Sequence, residues 1–250
     1  AAPKRSVVRR FLGGIVFLTG ACWHVLWASR FDVLLVTTSP PMAPLAGVLL
    51  ARLRGARSVV WLTDINPDEA VAAGVVARGS LVERFARRWT RWTLKHAGAV
   101  VTLDGQMERR ALDDGARSER LHVIPPWSSI DHAASGAEVT AFRESQGWEG
   151  RRVVMYAGNH SPVHPLDTLV RAIVARPAGD ALQFAFVGGG SMKPKIDALR
   201  EPNVSVLPYQ PRESLPVLLA AGDVHVVSMG DAVHGIVHPS KFYGALAAGR

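Results

Sequence analysis

The chain has 250 residues, of which 48% are hydrophobic and 20% are charged. This length allows one large domain or two small ones, and the composition excludes a disordered chain, a collagen-like repeat and a coiled coil. A single cysteine, Cys22, excludes an intrachain disulfide framework and a cysteine-based zinc site, so the reducing cytosol is the simplest compartment.

The net charge of +8 is unevenly distributed along the chain. Residues 1–125 hold 18 Lys and Arg against 10 Asp and Glu, whereas residues 126–250 hold 11 of each sign. This asymmetry indicates an anionic partner, either a membrane surface or a nucleic acid, or else a basic surface that only keeps the chain soluble. Nucleic acid ranks last, because no nucleic-acid-binding pattern accompanies the charge.

The first long apolar segment runs from Phe11 to Trp27 and follows four basic residues. A membrane span needs about 20 apolar residues, and this segment contains three glycines, Cys22 and His24. No small-residue cleavage site follows it. We therefore predict a buried or interfacial helix here, and not a membrane span.

Short β-rich segments alternate with longer helical ones along the rest of the chain, which predicts an α/β, doubly wound architecture. The strands are continuous apolar runs, as in parallel sheets that are buried on both faces. The predicted strands are 32–38, 58–63, 98–103, 120–124, 152–157, 182–188, 203–208 and 223–228. The predicted helices are 42–54, 80–96, 105–114, 165–175, 191–200, 212–220 and 239–248.

The alternation is interrupted at 125–150, where Pro, Ser and Gly are frequent and no long apolar run occurs. We predict a partial N-terminal lobe over 1–130, a linker over 131–150 with at most one short helix, and a truncated C-terminal lobe over 151–250. Two Rossmann-like lobes of this kind are expected to face a cleft. Both ends of the α/β pattern look incomplete, which suggests a fragment of a longer protein.

The predicted helix over 80–96 interleaves arginines with aromatic residues, including Arg84, Phe85, Arg88, Trp89 and Trp92. This pattern suits the headgroup interface of a membrane, where Trp anchors and Arg meets phosphate. The same spacing also fits an ordinary surface helix that buries its aromatic side chains. The sequence leaves both interpretations of this helix open.

Three strand ends in the second half have the features of a phosphate site, since ligands of doubly wound sheets bind at the carboxyl ends of strands. Gly158 and Asn159 allow close approach of the backbone, and the glycines at 188–190 precede Lys193. Ser240 and Lys241 open the last predicted helix, with Ser240 as a candidate cap. Neither the dinucleotide fingerprint nor the Walker pattern occurs.

Asp64 follows a strand rich in bulky residues. A carboxylate there could orient a sugar hydroxyl or act as a base, or it could merely cap the next helix. The pairs His160/His164 and His234/His238 have the i,i+4 spacing of zinc ligands, but prolines interrupt or follow them. Hydrogen bonding to a ligand is the preferred role for these histidines, and no metal is predicted.

Taken together, these segments resemble the family-4 retaining glycosyltransferases of the GT-B fold, and among them enzymes of bacterial capsule, O-antigen or colanic acid synthesis. The residues that carry the resemblance lie at 32–70, 122–127 (HVIPPW), 153–172 (VVMYAGNHSPVHPLDTLVRA), 186–196 (FAFVGGGSMKPKI), 203–228 and 238–250 (HPSKFYGALAAGR).

The resemblance implies that the N-terminal lobe binds the acceptor and that the C-terminal lobe binds a UDP- or GDP-linked sugar. A hexosyl group would pass with retention to a lipid-linked or saccharide acceptor, without a metal or cofactor, at the cytoplasmic inner face of the plasma membrane. The implied site residues are Asp64 on the acceptor side and Gly158, Asn159, Gly189, Lys193, Tyr209, Gln210, Ser240 and Lys241 on the donor side.

One departure concerns the E-x7-E pattern of this family, whose positions are occupied here by Ile236 and Gly244. The second glutamate usually holds the donor ribose, so the ribose must be held in another way. Two further hypotheses about the function stay open, namely a sugar-nucleotide epimerase of the same fold and an inactive membrane-associated fragment.

Overall fold

The computed structural model describes residues 7–128, 130, 132–176 and 181–250. The chain divides into two compact units. Unit 1 contains the chain up to Pro125 together with Val233–His238, and unit 2 contains Pro126–Ala232 together with Pro239–Arg250.

Unit 1 is built on a parallel sheet in the order β1-β2-β3-β4. Its strands are β1 (Val33–Thr37), β2 (Arg57–Trp61), β3 (Ala99–Thr102) and β4 (Leu121–Val123). Its helices are α1 (Val7–Trp27), α2 (Ala43–Leu53), α3 (Asp68–Ala72), α4 (Leu81–His96) and α5 (Gly105–Asp113). Val60, Leu94, Val100 and Met107 are buried in its core.

Unit 2 is built on a parallel sheet in the order β7-β6-β5-β8. Its strands are β5 (Arg152–Asn159), β6 (Leu182–Gly189), β7 (Val204–Leu207) and β8 (Val224–His225). Its helices are α6 (Gly136–Ser145), α7 (Asp167–Val174), α8 (Lys193–Asp197), α9 (Leu215–Ala221) and α10 (Lys241–Ala247). Two core clusters cover the faces of this sheet, one around Met155 and Leu218 and the other around Tyr156 and Phe186.

The predicted α/β fold class with two parallel sheets is confirmed, and each predicted strand overlaps an observed one. Two elements are much shorter than predicted, since α8 covers only Lys193–Asp197 and β8 has only two residues. The short helix α3 was not predicted.

The expected linker over 131–150 contains helix α6, which belongs to unit 2. Ser135 and Glu138 form a capping box that satisfies the free N–H groups at the start of this helix. Phe142 then packs edge-on against the fully buried Trp148, with 5.8 Å between the ring centroids. The segment is therefore part of a core, because its few apolar side chains close one side of the unit 2 sheet.

Helix α1 carries a row of exposed apolar side chains at Leu12, Val16, Trp23 and Trp27, whose spacing places them on one face. The alternative that this helix is buried is therefore wrong, and the interfacial alternative stays a prediction. In the part of the chain that the structure describes, no helix has the length and apolar character needed to cross a membrane.

Candidate functional site

Unit 2 contains a pocket of about 440 Å³ at the carboxyl ends of β5, β6 and β8. Such strand ends are the usual ligand sites of doubly wound sheets. Its lining combines apolar side chains with polar groups and one cation, Lys241. The lining comprises Trp127, Ser128, Ile130, Ala157, Gly158, Val187, Tyr209, Gln210, Leu215, Leu218, Leu219, His225, Val226, Val227, Ser240, Lys241 and Gly244.

Two glycines that are paired in register, Gly158 and Gly188, shape the base of this pocket. Their φ angles are +134° and +127°, a region that residues with a side chain rarely adopt. A Cβ on Gly188 would lie 2.2 Å from the carbonyl oxygen of Gly158, and a Cβ on Gly158 would lie 2.5 Å from Cε of Lys241. The absence of both side chains therefore leaves room for the Lys241 side chain directly over the end of β5.

Lys241 is held in this position by Tyr156. Its Nζ donates a hydrogen bond of 2.7 Å to Oη of Tyr156, and it lies 4.6 Å from the centroid of the same ring. The Tyr156 hydroxyl in turn donates to the carbonyl oxygen of Asn159 at 2.8 Å. The ammonium group is thus fixed at the strand end by neutral partners.

The charge of Lys241 is not neutralised by the residues that the structure describes. Among the described residues, no carboxylate forms an ion pair with Lys241. Burial lowers the pKa of Lys241 to about 8, because desolvation disfavours the charged amine. Burial also raises the pKa of Tyr156 to about 12, with a smaller contribution from Tyr209, so that this phenol stays neutral and can donate. An anionic ligand would supply the counter-charge that Lys241 lacks.

The exposed Tyr209 and the half-buried Gln210 lie side by side in the lining of the pocket. The Tyr209 hydroxyl donates to the carbonyl oxygen of Gly189 at 3.1 Å, and its ring lies against the glycine segment. The Gln210 side chain donates to the carbonyl oxygen of Pro208 at 3.1 Å. An exposed aromatic face beside a cation suits a ligand that combines a flat ring with phosphate groups.

Of the donor-side residues predicted from the sequence, five line the pocket: Gly158, Tyr209, Gln210, Ser240 and Lys241. Asn159 and Gly189 contribute their carbonyl oxygens at its edge.

Two details of that prediction differ in the structure. Lys193 is absent from the lining, and its Nζ lies 2.5 Å from the Asp197 carboxylate one helical turn further on. Ser240 occupies the position before α10, but its side chain makes no capping hydrogen bond.

The four histidines singled out in the sequence are dispersed. His164 bonds to the carbonyl oxygen of Ser228, and His238 contacts Asp104 in unit 1 with 2.7 Å between Nδ1 and Oδ2. His160 is fully buried, and neither of its ring nitrogens has a hydrogen-bond partner among the described residues. Burial lowers the pKa of His160, because desolvation disfavours the charged ring. Within the described ranges, no group of three or more potential metal ligands occurs.

Asp64 lies in unit 1, just beyond the end of β2. Its backbone N–H donates to Oγ1 of Thr38 at 3.3 Å, and it forms an antiparallel bridge with Val237. Burial raises the pKa of the Asp64 carboxyl, although the Thr63 hydroxyl works in the opposite direction. Asp64 does not cap α3, which begins at Asp68 after Pro67, and it lines a second cavity that belongs to unit 1.

The two positions of the E-x7-E pattern lie in different units. Ile236 is buried in unit 1, and its carbonyl oxygen accepts a hydrogen bond of 2.9 Å from the N–H of Ile65. Gly244 lines the pocket of unit 2, where a Cβ would lie 3.1 Å from Leu219. A glutamate at 244 would therefore need Leu219 to move.

The sequence reasoning missed Tyr156, although a signal for it was present. Residues two apart on a strand lie on the same face. Tyr156 therefore shares the face of Gly158, which the sequence had assigned to the site. Trp127, whose side chain is 72% exposed at the pocket, was also missed.

Comparison with known proteins supports the assignment of the fold. The sequence pattern of the glycosyl transferase 4-like domain matches residues 2–127, half of the chain. The putative colanic acid biosynthesis glycosyl transferase WcaI of Escherichia coli K12 is 30% identical over 211 residues, which cover 80% of this chain and 51% of WcaI. The probable glycosyltransferase WbjE of Pseudomonas aeruginosa is 27% identical over 231 residues, which cover 88% of this chain and 56% of WbjE.

The chain thus spans about half the length of the curated relatives it matches. Among solved structures, Anabaena Alr3699/HepE in complex with UDP aligns with a TM-score of 0.68 at 16% identity, over 94% of this chain and 62% of HepE. At that identity the likeness shows the fold alone. From the match over half of its length and from its two parallel α/β sheets, the chain belongs to the glycosyl transferase 4-like family, the family-4 glycosyltransferases of the GT-B fold.

Proposed function

We propose that the chain is part of a retaining glycosyltransferase that moves a hexosyl group from a UDP- or GDP-linked sugar to a lipid-linked or saccharide acceptor. The reaction would serve bacterial surface polysaccharide synthesis, which agrees with the similarity to a putative colanic acid enzyme. The observation that carries the proposal is Lys241, an ammonium group without a carboxylate partner among the described residues, held over Gly158 in the pocket of unit 2.

Lys241 would bind the diphosphate of the donor. Departure of a nucleoside diphosphate leaves negative charge on its oxygens, and a fixed cation stabilises that charge without needing to reorganise. Tyr156 orients the ammonium group, and the absence of a side chain at Gly158 leaves the space that the Lys241 side chain occupies. Tyr209 and Gln210, which line the same pocket, would contact the base or sugar. No metal is part of this proposal.

Unit 1 would bind the acceptor, with Asp64 orienting the hydroxyl that attacks or accepting its proton. Burial raises the pKa of Asp64, which makes this carboxylate a stronger base than an exposed one. A proton acceptor at a strand end of a parallel sheet is well placed for either task. The roles of Lys193, Asn159 and Gly189 remain predictions.

The protein would act as a peripheral protein on the cytoplasmic face of the plasma membrane. The exposed row on α1 supports this location, with Trp23 and Trp27 in contact, their tilted rings 5.5 Å apart between centroids. The arginines of α4 add attraction to anionic lipids, and together these features describe an interfacial surface. Nucleic acid is not proposed as a partner.

Titration calorimetry of the 250-residue chain with UDP and with GDP tests the proposal. One of the two nucleotides should bind, and Lys241→Met should weaken that binding by roughly 10- to 100-fold, the value of a hydrogen bond to a charged group. Lys195→Met is the matched control, because Lys195 lies in unit 2 outside the pocket and pairs with Asp167. Equal affinities of wild type and Lys241→Met would refute the assigned site.

A further inference from the structure

A cavity of about 570 Å³ lies within unit 1, between helix α4 and the sheet. This volume falls within the range of about 300–1,000 Å³ that small-molecule sites occupy. Most of its lining is apolar, with Leu62, Ile65 and Leu94 among the buried contributors, and two carboxylates, Asp64 and Asp114, also line it. Open clefts of this size with mainly apolar walls are the usual sites of small ligands.

The cavity opens to solvent at one end. Val75, Val82 and Phe85 line it, and each of these side chains is more than half exposed, at 74%, 66% and 53%. At the other end, Ile65 and Leu94 are each 2% exposed. The space therefore reaches from exposed apolar side chains to buried ones, and its mainly apolar walls suit a hydrocarbon chain.

A second, cationic groove of about 770 Å³ lies on the neighbouring face of α4. Arg84, Arg88 and Arg91 line it together with Trp92. The groove and the cavity share two lining residues, Leu45 and Trp89, and so they adjoin at these side chains. Apolar space and positive charge thus meet at one place on unit 1.

Two of the four arginines that line this groove are available to a ligand. Arg87 is occupied by Asp68, at 2.6 Å, and by Glu83, at 3.0 Å, and Arg91 bonds to Asp114 at 3.1 Å. In contrast, the exposed Arg84 and Arg88 have no ion-pair partner in the part of the chain that the structure describes. Two unpaired guanidinium groups on successive turns of a helix favour a phosphate, which they can bind through paired hydrogen bonds.

We propose that unit 1 binds a single molecule of an anionic membrane lipid, with one hydrocarbon chain in the cavity and the headgroup phosphate at Arg84 and Arg88. This inference rests on the proposed membrane location but goes beyond it. Adsorption to a surface needs only exposed apolar and cationic groups, whereas the cavity would extract one chain from the bilayer and hold it inside the protein. Binding would then be saturable, one to one and dependent on chain length.

Calorimetry with octyl, decyl and dodecyl phosphate, each below the concentration at which it forms micelles, tests the proposal on the 250-residue chain. One molecule should bind, with an affinity that rises about fourfold per methylene, as expected when a chain is buried. Inorganic phosphate should bind far more weakly than dodecyl phosphate. Equal affinities for inorganic and dodecyl phosphate would show an anion groove only and would overturn the proposal.

Two pairs of variants separate the cavity from the groove. Ala86→Phe fills the cavity from a half-buried position on α4 and should abolish the dependence on chain length, whereas Ala77→Phe, at an exposed position outside the lining, should not. Arg84→Gln with Arg88→Gln should weaken binding of dodecyl phosphate at least tenfold, about the value of one charged hydrogen bond. Arg109→Gln with Arg117→Gln removes the same charge elsewhere on unit 1 and should have little effect.

Three outcomes would overturn the proposal: chain-length dependence that persists in Ala86→Phe, no effect of the Arg84/Arg88 pair, or binding to anionic vesicles without any binding of monomeric alkyl phosphates. UDP titration of the same samples checks folding and separates the two proposals. If UDP binds but alkyl phosphates do not, the lipid site is wrong and the donor site stands. If alkyl phosphates bind but neither UDP nor GDP does, the donor site is wrong and the lipid site stands.

Discussion

The affinity for the donor nucleotide should fall as the pH rises through the pKa of Lys241. Burial lowers this pKa from 10.5 to about 8. The amine is therefore about nine-tenths protonated at pH 7 and about one-tenth protonated at pH 9. If only the charged form binds the diphosphate, the apparent dissociation constant rises as the competent fraction falls, by about tenfold between these two pH values.

The same coupling predicts uptake of a proton on binding. The diphosphate provides a counter-charge and raises the pKa of Lys241, so that at pH 8 about half a proton should be taken up per nucleotide bound. The ligand does not interfere, because a terminal phosphate with a pKa near 6 is already ionised in this range. Calorimetry in buffers of different ionisation enthalpy measures the uptake directly.

Lys241→Met provides the control, since it removes the titrating group and should make the affinity independent of pH between about 7 and 9. Lys195→Met leaves the Lys241 amine in the pocket, so the affinity of this variant should depend on pH as that of the wild type does. An affinity of the wild type that is flat over this range, with no proton taken up, would refute the argument that a desolvated ammonium group holds the diphosphate.

Three further predictions follow from the packing. Gly158→Ala places a Cβ 2.5 Å from Cε of Lys241, so it should weaken UDP binding about as much as Lys241→Met does. The double variant should bind UDP no more weakly than either single variant, which a double-mutant cycle measured by calorimetry tests. Asp223→Ala should cost about 2 kcal/mol of the free energy of unfolding in urea at pH 7, the value of hydrogen bonds to a charged group. Burial raises the pKa of Asp223, but hydrogen bonding outweighs burial and holds this pKa below 3.8. The stabilisation by Asp223 should therefore be lost as the pH falls through the folded-state pKa. A difference in stability between wild type and Asp223→Ala that does not change with pH would contradict this prediction. Trp23→Ser with Trp27→Ser should weaken co-sedimentation with anionic vesicles about tenfold, and unchanged binding would remove α1 from the membrane surface.

The sheets were predictable because the strands are continuous apolar runs such as 152–157, which parallel packing buries on both faces. Helix α6 was harder to assign, since only Val139 and Phe142 of its ten residues pack against the core cluster. What places it in unit 2 is the contact of Phe142 with Trp148, together with the ion pair between Arg143 and Asp223, 80 residues later. Contacts this distant in the chain leave no local pattern.

The donor pocket was predicted more completely than the role of each residue in it. Lys193 and Lys241 both stand at the start of a helix after a glycine-rich or proline-containing loop, and helix position alone does not separate them. The difference lies in Asp197, which follows Lys193 by four residues on α8 and pairs with it. Lys241 has Ala245 at the corresponding position, so the i,i+4 spacing contained a signal that had gone unused.

The cavity of unit 1 could not be predicted from the sequence, because its walls come from α2, β2, α4 and the segments between them. The apolar residues at Val82, Phe85 and Trp89 have the spacing of any core-facing helix face. Only the packed structure shows that the space beneath them stays open. The membership of Val233–His238 in unit 1 could not be predicted either, because it depends on backbone hydrogen bonds to the distant residues Asp64 and Ile65.

The central claim is that the pocket of unit 2 binds the diphosphate of a nucleotide, and a crystal structure of the chain with UDP or GDP at pH 7 tests it most directly. The claim predicts the diphosphate within hydrogen-bonding distance of Nζ of Lys241 and above Gly158, with the base near Tyr209. A nucleotide bound elsewhere on the chain, or bound with its phosphates away from Lys241, would contradict the account.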